Sequence, residues 1–93
     1  QALAAMLKRR RTLFRKDAQH FGYATPTTDE LVYWTYVYFN AGENGGRAQL
    51  EKYSPTKSKA DKRKLSDWIT KGEYDHAIKL LQSYRMAKEM KIF

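Results

Sequence analysis

Leu3, Met6, Leu7, Leu13 and Phe14 recur at helical spacing, and Lys8 to Arg11, Arg15 and Lys16 fill much of the surface between them. The pattern predicts one amphipathic helix from Ala2 to about Ala18. Gly22 and Pro26 punctuate the stretch that follows. Thr27, with Glu30 three residues later, has the form of a capping box, so a second helix is expected to begin near Thr28.

From Leu31 to Ala41 (LVYWTYVYFNA) nearly every position is apolar or aromatic, which for a helix means burial all round rather than along one stripe. A buried strand is the competing reading, because Val, Tyr, Trp and Thr suit pleated surfaces and a short apolar run has no decisive period. The capping box and the length of the run favour the helix. Gly42, Gly45 and Gly46 then read as a flexible turn, with Gly42 placed to stop the helix. Arg47 to Tyr53 reads as a short helix and 54–64 (SPTKSKADKRK) as an exposed, mobile basic connection. Leu65 to Lys71 is expected to form one or two turns ending at Gly72. Tyr74, Ile78, Leu81 and Tyr84 mark one face of a final helix reaching about Lys91. The expectation is a single all-α domain over 1–93, of about five helices, with Leu31–Ala41 at its centre and no internal repeat.

Composition narrows the function more than the fold. The 93 residues are 42% hydrophobic and 14% aromatic, enough for a core at a size where one is only marginally sufficient. A formal charge of +8 favours polyanions, anionic headgroups or an anionic wall without choosing among them. The absence of cysteine removes disulfides and thiol chemistry, and His20 and His76 lie too far apart for a local metal motif. No metal or cofactor is implied. No apolar run approaches the roughly 18 residues of a membrane span, and the start lacks a secretory pattern.

The most informative segment is Tyr38-Phe39-Asn40-Ala41-Gly42, followed by Glu43-Asn44-Gly45-Gly46-Arg47. It resembles the Ala-Tyr-Asn-Ala-Gly-Pro-Gly segment of the soluble lytic transglycosylases and goose-type lysozymes, helical enzymes that cleave the bacterial glycan strand. Two further stretches fall in the family's order. Ala2-Leu3-Ala4-Ala5-Met6-Leu7-Lys8 is similar to its Ala-Gly-Ala-Ala-Tyr-Leu helix, and Gln82-Ser83-Tyr84-Arg85 to its Thr-Arg-Asn-Tyr-Val stretch, whose tyrosine faces the active-site carboxyl. The resemblance covers most of the chain and is loose outside the central motif. It implies a lysozyme-like fold, peptidoglycan as partner, and a periplasmic, wall-associated, secreted or injected location. It also implies cleavage next to N-acetylmuramic acid. Asn40 would orient the sugar, Tyr38 and Gly42 would shape the floor, Phe39 would join them in binding substrate, and Tyr84 would hold the catalytic carboxyl. The side chains suit this, since an amide both donates and accepts and aromatic faces pack on sugar rings. As an isolated motif, Asn40-Ala41-Gly42 reads first as a helix end above an aromatic core; the flanking order and the two other stretches favour the resemblance.

Several features depart from the pattern. Phe39 replaces the motif tyrosine, and Gly42-Glu43-Asn44-Gly45-Gly46 replaces Gly-Pro-Gly. The family's general acid, a glutamate in a Glu-Ser context upstream, is absent, as is the Gly-Leu-Met-Gln stretch after it. Glycoside cleavage needs an acid to protonate the leaving oxygen, so the isolated chain is expected to be inert. Glu30 reads as a cap and Glu51 and Glu73 as solvated charges; Glu43, beside the cleft, is the one alternative acid. Gln1 is not Met and the first helix looks entered midway, so the chain is expected to be the carboxyl-terminal part of a larger domain whose amino-terminal segment carries the acid. A degenerate relative kept for binding is the other account.

The rival reading rests on Lys8-Arg9-Arg10-Arg11 and Lys57 to Lys64, with Tyr23, Trp34 and Tyr53 as stacking partners for a nucleic acid. No named nucleic-acid motif accompanies them. A helical protein-interaction module without activity is the third class.

Overall fold

The computed structural model describes residues 2–56 and 62–89, and among them there are four helices and no strand. They are α1 (Ala2–His20), α2 (Thr28–Lys52), α3 (Asp67–Thr70) and α4 (Asp75–Glu89). The chain is all-α, and the strand reading of 31–41 is excluded. Residues 57–61 of the basic connection, and the expected extension of the last helix to Lys91, lie outside the described residues.

α1 ends in a Schellman motif. Tyr23 N–H bonds back to Ala18 O at 2.9 Å and Gly22 N–H to Gln19 O at 3.2 Å, with Gly22 at φ 87°. The capping box opens α2 as read. Glu30 N–H donates to Thr27 Oγ1 at 3.2 Å, and Thr27 N–H to Glu30 Oε1 at 3.0 Å. Gly42 interrupts α2 with φ 84° and ψ 161°, a region open almost only to glycine. The helix resumes at once, giving limbs 28–41 and 43–52 where a loop and a short helix were expected. Gly45 and Gly46 belong to the second limb rather than to a turn.

α1 and α4 both pack on α2. Trp34 sits at the centre with no exposed surface, stacked on Phe14 (centroids 5.5 Å apart, planes 3° apart) and edge-on to Trp68 at 4.8 Å. Burying these amphipathic rings requires partners for their polar tips, and each has one. Trp34 Nε1 donates to Leu65 O at 3.2 Å, Trp68 Nε1 to Gln49 Oε1 at 3.2 Å, Tyr23 Oη to Leu50 O at 2.7 Å and Tyr33 Oη to Glu73 O at 2.7 Å.

The segment 54–64, expected to be an exposed connection, is anchored at both ends. Ser54 is fully buried and donates from Oγ to Phe21 O at 2.6 Å. Arg63 lies 4.0 Å over the Tyr53 ring and reaches Glu73 Oε2 from Nη1 at 2.8 Å. A hydroxyl matched to a carbonyl, and a guanidinium matched to an aromatic face and a carboxylate, carry polar residues inward despite their composition.

Candidate functional site

The glycine kink divides the Tyr38–Gly42 segment by exposure. Tyr38, expected at the floor of a cleft, is turned wholly into the core. Its hydroxyl donates to Asp17 Oδ2 at 2.7 Å, and Arg47 Nε donates to the same oxygen at 3.2 Å. One α1 carboxylate thereby ties both limbs of α2. Burial, and secondarily the bond to Asp17, push the Tyr38 hydroxyl far above the usual phenol range. Its ring covers Gly46, where an added Cβ would strike it, so Gly46 is a packing glycine. Phe39 is half-buried, while Asn40 and Ala41 are exposed just before the kink.

Asn40 follows Val32 and Tyr36 at four-residue intervals on one face of α2. That face floors a groove of about 540 Å³ between α1 and α4, whose lining includes Leu7, Lys8 and Arg11 of α1, Val32 and Tyr36 of α2, and Tyr84 of α4. Tyr84 is thus the one sequence-derived site residue that lines the groove. Asn40 stands one turn beyond Tyr36, outside that lining. Val32 and Tyr36 were not read as site residues, and Lys8 and Arg11 only as part of a run for nucleic acid; the four-residue spacing of Val32, Tyr36 and Asn40 was the available signal.

Glu43 opens the second limb and is engaged by two cations, Arg9 Nε at 3.5 Å and Arg10 Nη1 at 3.8 Å from Oε1. It fastens α1 to the kinked helix. The run Lys8 to Arg11 is therefore split, since Arg9 and Arg10 turn to Glu43 while Lys8 and Arg11 border the groove. Of the residues proposed for base stacking, Trp34 has no exposed surface, Tyr23 is 8% exposed, and Tyr53 is covered by Arg63 and Lys52.

A second depression of about 440 Å³ lies further along α1, beside Thr12, Arg15, Lys16, Gln19, Tyr23 and Pro26. Among the described residues no cluster of three or more His, Cys, Asp or Glu could hold a metal ion, and no helix is long and apolar enough to cross a membrane. No family model, curated protein or solved structure matches the chain.

Proposed function

We propose that the chain supplies the glycan-binding part of a lysozyme-like, peptidoglycan-cleaving domain, in which a general acid from outside these residues cuts next to N-acetylmuramic acid. The observation that carries the reading is the Tyr38–Gly42 motif ending at a glycine-only kink, with the Asn40 amide exposed on the same helix face as the groove tyrosine Tyr36. Tyr36 and Tyr84 offer ring faces for the apolar side of a sugar, and Asn40 offers a donor and an acceptor for an acetamido group. Gly42 lets Asn40 and Ala41 end the first limb without a side chain beyond them. Tyr84 holds the incoming carboxylate. Tyr38 and Phe39 act from beneath by fixing the helix, and Glu43, engaged by Arg9 and Arg10, does not serve as the acid.

The test is a turbidity assay on purified peptidoglycan, with this chain alone and with the natural product carrying any upstream Glu-Ser segment. Clearing by the longer product, abolished by replacing that glutamate with Gln, is the expected result. Clearing by this chain alone would overturn the assignment of the acid, and no clearing by either would remove the catalytic part of the proposal.

A further inference from the structure

α1 sorts its residues by angle. At 100° per residue, Lys8, Arg11, Thr12, Arg15, Lys16 and Gln19 share one outward face, all exposed, while Leu7, Leu13, Phe14 and Ala18 point to the other side. Elsewhere Arg9, Arg10, Arg47, Arg63, Lys79 and Arg85 are matched to carboxylates. Lys8, Arg11, Arg15 and Lys16 have no ion pair among the described residues. These four cations span about 12 Å of helix axis, at 1.5 Å per residue. Lys8 and Arg11 border the groove, and Arg15 and Lys16 the second depression.

We infer that the outward face of α1 binds a flexible, base-free phosphodiester chain through charge alone. A single small anion would meet one or two of the four cations, whereas a linear polymer of anions meets all of them and releases its condensed counterions. A nucleic acid is disfavoured because no aromatic side chain stands on the cationic face itself: Tyr23, beside Arg15 and Lys16, is 8% exposed with its hydroxyl committed to Leu50 O, and Tyr36 and Tyr84 lie across the groove on α2 and α4. A lipid surface is disfavoured because no apolar side chain stands on that face to enter a membrane. The inference goes beyond the glycan reading and does not depend on it. Uncharged N-acetylglucosamine oligomers probe that site, and a sugar-ring-free charged polymer probes this one.

The experiment is a salt titration of binding to poly(glycerol phosphate) of about ten units, beside a thymidine decamer and vesicles containing phosphatidylglycerol. Four contacts give a slope of log affinity on log salt near −3, about a 50-fold loss between 50 and 200 mM. The double variant R15Q/K16Q halves the slope, to a loss of about sevenfold, and Lys79→Gln, on a cation already paired with Asp75, leaves it unchanged. Poly(glycerol phosphate) binds at least as tightly as the thymidine decamer and more tightly than vesicles. Tenfold preference for the thymidine decamer, preference for vesicles, or a slope indifferent to R15Q/K16Q would each overturn the inference.

Discussion

Tyr38 Oη donates to Asp17 Oδ2 across 2.7 Å, joining the centre of the aromatic helix to the last turn of α1, 21 residues earlier. Arg47 reaches the same oxygen from beyond the Gly42 kink, so a single carboxylate sets how the two limbs of α2 lie on α1. The exposed end of the motif is positioned by this buried contact.

Removing either partner has a defined cost. Tyr38→Phe loses one bond to a charged acceptor and is expected to destabilise by about 1.5–3 kcal/mol in urea unfolding. Asp17→Ala strands the buried Tyr38 hydroxyl and releases Arg47, so it costs at least as much. The double variant falls short of the sum by roughly 1 kcal/mol or more, as for two residues of one network. Simple additivity would contradict the coupling.

Two glycine substitutions separate backbone strain from steric collision. Gly42→Ala meets no atom within 4 Å, so its expected loss of about 1–3 kcal/mol comes from the backbone conformation alone. Gly46→Ala collides with the Tyr38 ring and shifts it, at about 1–3 kcal/mol. The near-ultraviolet circular dichroism of the aromatic core should change in the Gly46 variant and hold in the Gly42 variant.

High pH should expose the buried phenols. Tyr38, Tyr33 and Tyr23 are all raised, chiefly by burial. Because the folded value lies above the unfolded one, their contribution is complete below about pH 10 and is lost as pH climbs, the unfolded chain ionising first. Each group adds up to about 1.4 kcal/mol of loss per pH unit in that window. Between pH 10 and 12 the stability of the wild type should therefore fall more steeply than that of Tyr38→Phe; equal slopes would mean that Tyr38 is not buried as described.

Glu43→Gln separates the catalytic and structural readings of that carboxylate. Loss of its contacts to Arg9 and Arg10 should cost less than about 1 kcal/mol, as for other solvent-accessible pairs. If the proposed glycan cleavage holds, clearing of peptidoglycan by a protein that joins this chain to a general acid should stay within twofold of its unsubstituted form, measured as the initial rate of turbidity loss.

Local signals were legible where the partners are close in sequence. Thr27 and Glu30 marked the start of α2, and Gly42 and Gly72 marked interruptions that need no distant contact. The inward turn of Tyr38 was not legible, since its partner Asp17 lies on another helix and its ring packs on Gly46 beyond the kink. Ser54 and Arg63 read as exposed by type, because the Phe21 carbonyl and the Tyr53 ring that receive them become neighbours only in the folded chain. The division of Lys8 to Arg11 was hidden for the same reason, as Glu43 lies 32 or more residues further on.

The most direct test of glycan binding is a two-dimensional NMR titration of this chain with the uncharged N-acetylglucosamine tetramer, with Asn40→Ala as the comparison. The prediction is saturable shifts of the Asn40 side-chain amide and of the Tyr36 and Tyr84 rings, with affinity at least fivefold weaker in the variant and its stability unchanged, since Asn40 is exposed. Shifts absent at all three residues, or affinity indifferent to Asn40→Ala, would contradict the proposed glycan site.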